Sequence, residues 1–272
     1  MRGRGQLAGI VLLIVCGVCV AQKVQFTPAE KSVVLDRMKT VPESDGERAA
    51  RLRQMFAEAG CNGNSLAEQK VDDGEFPNVI CRLGSGEGDT IIVGAHYDRA
   101  SSLQRPLDNW SGAAILPALY QSLRERKRNH NFVFVAFADS GNRPSGAEFF
   151  AGHMPQPQLE HAAAMINVDA LGLSPTKVWT AHSDKDLVHA LIVMVYTLKL
   201  PASQLNIAAM GNTDSDPFAV RHVPQITIHS LTQQNLVPGA PTQFRPGNYY
   251  DTYRLLCGYL AYLDESLKSR AR

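Results

Sequence analysis

Thr90-Ile-Ile-Val-Gly-Ala-His-Tyr-Asp98, followed ten residues later by Asp108-Asn-Trp-Ser-Gly-Ala-Ala114, is the stretch on which the fold turns. An uninterrupted apolar run of this length reads as a buried strand, central in a parallel sheet. It ends abruptly in a histidine and a carboxylate, and a second carboxylate, Asp108, opens a helix with apolar positions at Ala114, Leu116, Leu119 and Leu123. In open sheets of parallel strands, ligand chemistry collects beyond the carboxyl ends of the strands. His96, Asp98 and Asp108 fall there, and their nitrogen and oxygen donors are the kind a zinc site uses.

Upstream, Thr27 to Ala59 reads as helical, with Thr27-Pro-Ala-Glu30 as an N-cap pattern and a second helix over Glu43 to Ala59, closed by Gly60. Ser65 to Val71 and Pro77 to Leu83 alternate apolar and polar residues, as edge or antiparallel strands do. Gly84-Ser-Gly-Glu-Gly88 lacks the lysine and serine of a phosphate loop and leads into a strand, so it is a turn. Downstream, the helix from Asp108 runs to about Lys127, and Pro117 inside it predicts a kink. Strands follow at Asn131 to Ala138, Ala162 to Val168 (ending at Asp169), Lys177 to Ala181 and Gln225 to His229. Between them lie a short helix carrying Phe149 and Phe150, an apolar helix from Asp184 to Leu200 that reads as packed on both sides, and a short helix opened by Thr213-Asp-Ser-Asp-Pro-Phe218. A loop from Val237 to Asn248 leads to a last helix, Tyr250 to Ser269. The alternation predicts an α/β protein, a three-layer sandwich with a mixed, mostly parallel central sheet flanked by helices.

Residues 1–21 stand apart. Arg2 and Arg4 precede an apolar core from Leu7 to Val20 and a small-residue site ending at Ala21, the pattern of a cleaved signal peptide. The expected organisation is therefore a signal peptide at 1–21 and one domain at 22–272, in a protein that is secreted or periplasmic. Once Arg2 and Arg4 are removed, 25 basic residues face 26 acidic ones and the net charge moves from +1 to −1, so neither nucleic acid nor a membrane is an expected partner. Three of five cysteines remain. Cys61 and Cys81 are expected to form a local disulfide in an oxidising compartment, and Cys257 to be a free thiol in an apolar helix.

Taken singly, Asp108 reads as a helix N-cap, and Asp98 and Asp169 as turn residues. Their convergence with His96 at one mouth of the sheet is what singles them out. Gly94-Ala-His-Tyr-Asp98, Asp108-Asn-Trp-Ser-Gly112 and Asn167-Val-Asp169 resemble the first, second and fourth motifs of the zinc-dependent aminopeptidase family of metallopeptidases (family twenty-eight), whose relatives include glutaminyl cyclases. The resemblance runs from about Pro77 to Thr252. It implies two zinc ions bridged by Asp108, with His96 and Asp169 completing the ligands of one and Asp98 holding the histidine ring.

The departures from that pattern matter as much. The third motif carries two adjacent glutamates, a base and a ligand, where this chain has Ser140 and Gly141. Asp139, one residue early, reads either as a turn residue or, with a shifted loop, as a substitute base. The fifth motif keeps Asp251-Thr252 but has Gly247 at the histidine position. His229 reads either as a hydrogen-bonded strand-end histidine or as a replacement ligand, and Ser215 stands where a histidine commonly follows the family's aspartate. One half-site (His96, Asp108, Asp169) is whole, so one zinc ion is expected rather than two, with a peptide or aminoacyl ligand and weak or lost peptidase activity. Two alternatives are an exopeptidase using Asp139 and His229, and a single-zinc transferase like the cyclases, which keep the glutamate and late histidine degraded here.

Overall fold

The computed structural model describes residues 26–72, 74–98, 106–138, 145–206, 212–236 and 243–268. The expected signal peptide, Asp139, Ser140, Gly141 and the side chain of Asp108 lie outside what is described.

Eight strands form one mixed sheet: β1 (Leu66–Gln69), β2 (Asn78–Leu83), β3 (Thr90–His96), β4 (Asn131–Phe137), β5 (Ala162–Val168), β6 (Thr176–Val178), β7 (Ala202–Gln204) and β8 (Gln225–His229). Their order is β1-β2-β4-β3-β5-β8-β6-β7. The centre, β4-β3-β5-β8, is parallel, while β1/β2, β2/β4 and β6/β8 are antiparallel. This is the expected α/β architecture. β3 shows why an unbroken apolar run marks a central strand: Ile91, Val93 and Ala95 enter one buried cluster and Ile92 the other. Both faces are dry, so alternation is lost.

One face is covered by α2 (Asp45–Glu58), α3 (Pro106–Arg124), α6 (Lys185–Leu198) and α8 (Pro246–Ser266), with α1 (Lys31–Asp36) against α8. The other carries α4 (Ser145–Gly152), α5 (Gln156–Glu160) and α7 (Asp216–Ala219). The chain leaves β3 for β4 on one side and later returns to β5 on the other. The carboxyl ends of β3 and β5 therefore flank a topological switch point, where α/β sheets open a crevice.

Several expectations are corrected. The helix expected to start after Thr27 starts later: Glu30 is the N-cap of α1 and makes no side-chain capping bond, and the Ala29 amide donates to the Tyr253 hydroxyl at 2.7 Å. The capping box belongs to α2, where Ser44 and Glu47 bond reciprocally. α3 begins at Pro106, so Asp108 sits inside the first turn rather than capping it, and the helix continues through Pro117 to Arg124. The strand expected over Lys177 to Ala181 ends at Val178 and becomes a 3₁₀ turn, Thr180–His182. α6 packs on one side only: Leu187, Ala190, Leu191 and Met194 are buried while Tyr196 is 79% exposed. Cys61 and Cys81 form the expected disulfide, and Cys257 is a free buried thiol that burial pushes up to about 12.

One polar side chain organises the far end of β4. The Ala138 amide donates to Asn78 Oδ1 at 2.9 Å, and Asn78 Nδ2 donates to Gly146 O at 2.9 Å. Residue 146 must be glycine here, since a Cβ would collide with Ala138 O.

Candidate metal centre

The parallel register Gly94↔Asn167 brings the ends of β3 and β5 level, with His96 two residues beyond one and Asp169 two beyond the other. Asp169 is held past the end of β5 by its amide, which donates to Ile228 O at 2.9 Å. His96 Nε2 lies 3.6 Å from Asp169 Oδ1. On the other side of the ring, Nδ1 donates to Asp214 Oδ2 at 2.9 Å. That bond fixes the ring's orientation and turns Nε2 toward Asp169. The two facing side chains keep 20% and 13% of their surface, whereas Asp214 keeps 2%.

Asp214 is placed by a buried polar chain. The Thr213 and Ser215 hydroxyls lie 2.7 Å apart, Ser215 meets the Thr227 hydroxyl at 2.9 Å, and the Thr213 amide donates to Asp216 Oδ2 at 2.8 Å. Ser215, at a position where the family pattern has a histidine, anchors this segment to β8.

Burial alone would lower the affinity of His96 for a proton. Asp214, through charge and hydrogen bond, and then Asp169 and Asp98 outweigh it and hold the ring well above its ordinary range. Asp98 and Asp169 are both raised, by burial first, and the histidine only partly relieves them. Three carboxylates thus surround one imidazole in a desolvated pocket, an arrangement short of positive charge.

The Asp98 carboxylate accepts from Asn109 Nδ2 at 3.1 Å, and the group hydrogen-bonded to His96 Nδ1 is Asp214. Asn109 Nδ2 also reaches Asp98 O, at 3.0 Å. The start of α3 is tied equally to the Asp169 side. Leu171 N donates to Ser111 Oγ at 2.8 Å, and a Cβ on Gly112 would stand 2.5 Å from Val168 O. Tyr249 of α8 donates to Ser111 O at 3.0 Å.

His229 does not join this cluster. Its Nδ1 accepts from the Leu231 amide at 3.1 Å and its Nε2 donates to Leu205 O at 3.3 Å, so neither nitrogen has a lone pair to give a metal. Burial drives it down to about 4, the signature of a neutral structural histidine. Gly247 lies in the first turn of α8, exposed, with nothing within 4 Å of where its Cβ would stand. Among the described residues no group of three His, Cys, Asp or Glu side chains is placed to hold a metal. Asp108, the third ligand expected from the sequence, has its side chain outside that description.

Sequence reasoning missed two residues. Asp214 was read only through its neighbour's lost histidine, and a through-space bond across 118 residues leaves no local signal. Arg48 did leave one. It occupies the apolar stripe of α2 with Leu52, Met55 and Phe56, and it is 1% exposed.

A model of Peptidase family M28 matches residues 78–254. The protein YfbL of Escherichia coli K12 is 30% identical over 98 residues, a match spanning 33% of this chain and 30% of that relative. Among solved structures, the LapA aminopeptidase of Legionella pneumophila superposes with a TM-score of 0.73 at 17% identity, covering 87% of this chain and 71% of that one. BSAP, a zinc aminopeptidase from Bacillus subtilis, gives 0.60 at 15% identity over 72% and 51%. A glutaminyl cyclase from an Acidobacteriales bacterium gives 0.68 at 15% identity over 89% and 98%. At these identities the structural likeness is one of fold.

Proposed function

The chain belongs to peptidase family M28, and from that premise we propose that it is an exported zinc-binding protein of the aminopeptidase type that takes peptide or aminoacyl ligands. In this reading residues 1–21 are a signal peptide and 22–272 one domain. It binds one zinc ion through His96, Asp108 and Asp169, and its peptidase activity is weak or lost. The observation that carries the reading is the His96–Asp169 pair. Two ligand atoms about 2.0–2.1 Å from a tetrahedral ion lie about 3.3 Å from each other, and Nε2 and Oδ1 stand 3.6 Å apart with the ring already turned by Asp214. The surplus of buried carboxylate charge supports a cation as the missing partner.

Zinc in such a site lowers the pKa of bound water toward about 7 and polarises a carbonyl. The chain's own contribution is orientation. Asp214 keeps the proton on Nδ1 and so presents Nε2, and Asp169 supplies an oxygen across from it. A general base typically supplies about 100- to 10,000-fold in rate, and Ser140 and Gly141 cannot act as one. Asp139 remains the one carboxylate in that stretch for the alternative of an active exopeptidase. The hydrogen-bonding of His229 argues against its half of that alternative. A cyclase-type transferase would need a glutamate from the third motif and the late histidine, where this chain has Ser140-Gly141 and Gly247.

The test is metal content by mass spectrometry with release of amino acids from aminoacyl anilides. One zinc per chain and turnover near background is the expected result. Two tightly held zinc ions with efficient release would overturn the reading, and loss of that release in Asp139→Asn would then identify the base.

A further inference from the structure

We infer that Arg48 is a positioning residue that sets the distance between the two elements carrying His96 and Asp108. The inference rests on reading the centre as a metal site. Arg48 comes from α2, outside the matched family segment 78–254. Its guanidinium is buried to 1% exposure and reaches across the layer to the turn that follows β3. Nη1 donates to Tyr97 O at 2.9 Å and to Asp98 O at 2.7 Å, the two residues immediately after His96. Nε donates to Pro42 O at 3.2 Å, which ties the same group to the strap before α2. The guanidinium carbon lies 6.0 Å from the centre of the Trp110 ring, two residues beyond Asp108 on α3. Trp110 is fully buried and donates its own N–H to Arg37 O at 3.4 Å.

One side chain therefore holds the His96 turn by hydrogen bonds and the start of α3 by its face. A planar fork can do both at once. A lysine ammonium in the same place is a point charge without a face. Deleting the group takes the Arg48 donor from Tyr97 O and leaves Asp98 O with Asn109 Nδ2, so the buried turn must move to bring Tyr97 O a new donor. Because His96 ends the strand that this turn continues, such a shift moves Nε2 relative to Asp169 and to α3.

The experiment compares Arg48→Lys and Arg48→Met with Met55→Ala, a cavity two turns further along the same helix that removes no hydrogen-bond donor. Two measurements are made. The first is amide exchange in metal-free protein at Tyr97, whose N–H donates to Phe137 O at 3.1 Å beside the turn. The second is cobalt affinity with the visible spectrum of the bound ion. The expected result is Tyr97 exchange at least about tenfold faster and cobalt bound about 10- to 100-fold more weakly, with an altered spectrum, in both Arg48 variants. Met55→Ala should lower thermal stability and leave both readouts alone. If the methionine variant unfolds, the lysine variant decides. Tyr97 exchange and cobalt affinity in Arg48→Lys within twofold of wild type would overturn the inference. A wild-type protein that takes up no cobalt removes the metal reading instead, and Tyr97 exchange then decides Arg48 alone.

Discussion

Asn109, Trp110, Ser111 and Gly112 each carry a separate mechanical duty, which is why this run reads so clearly as a motif. Asn109 holds Asp98, Trp110 faces Arg48, Ser111 accepts from the Leu171 amide, and Gly112 lets α3 touch the end of β5. They lock the first turn of α3 against both strand ends. Asp214 is the group hydrogen-bonded to the histidine ring at Nδ1. Zinc affinity, measured by chelator competition, should therefore fall about 10- to 100-fold in Asp214→Asn and change less in Asp98→Asn. The reverse order would give the ring-holding role to Asp98. His96→Ala should abolish measurable binding, since it removes the only nitrogen of the half-site. His96, Asp98 and Asp169 were legible because strand ends converge by topology. Asp214 was not, because its carboxylate arrives from a distant loop held by hydroxyl contacts that no spacing rule predicts.

Among the elements, β3 to β5 were legible nearly to the residue, since a strand buried on both faces has no polar interruptions. The misread pieces are where elements begin and end. α1 starts only after Glu30, and β6 stops where its chain turns into the 3₁₀ segment. Composition misled at α6, whose outer Ile192 and Tyr196 are exposed despite an apolar sequence. Two junctions between elements give measurable consequences. The Cys61–Cys81 bridge joins the end of α2 to β2 across 20 residues, and a loop near that size is worth about 3 kcal/mol. Urea unfolding of Cys61→Ala/Cys81→Ala should lose an amount of that order; a loss under about 1 kcal/mol would mean the helix–strand packing alone fixes this corner. Just before β4, Asp264 of α8 accepts from the amides of Asn129 and His130 at 3.0 and 2.8 Å. Its hydrogen bond to the His130 ring raises that histidine above its ordinary value, against the opposing effect of burial. A raised folded-state value means the ring's contribution is fully present below about pH 6.5 and fades as pH rises through that raised value. Unfolding curves of wild type and His130→Gln should therefore diverge most in mild acid and approach each other at higher pH. A gap that widens toward alkaline pH would contradict the Asp264 pairing.

For the molecule as a whole, the crevice between β3 and β5 is the consequence of strand order, and it would exist whatever residues lined it. That explains how one fold can match both an aminopeptidase and a glutaminyl cyclase. Restoring the family pattern, by Ser140→Glu, Gly141→Glu and Gly247→His together, should raise zinc content from one to two ions per chain. It should also raise aminoacyl anilide hydrolysis about 100- to 10,000-fold over the parent. Gly247 has open space for the new side chain. Unchanged metal content and rate in a folded triple variant would show that the departures are not what limits the protein. Asn78 sets how the segment after β4 is attached to the sheet. Its amide grips the chain at Ala138 and again at Gly146, so both ends of the intervening stretch are fastened to one fixed post. A single substitution at residue 78 would therefore undo two attachments at once, one at Ala138 and one at Gly146.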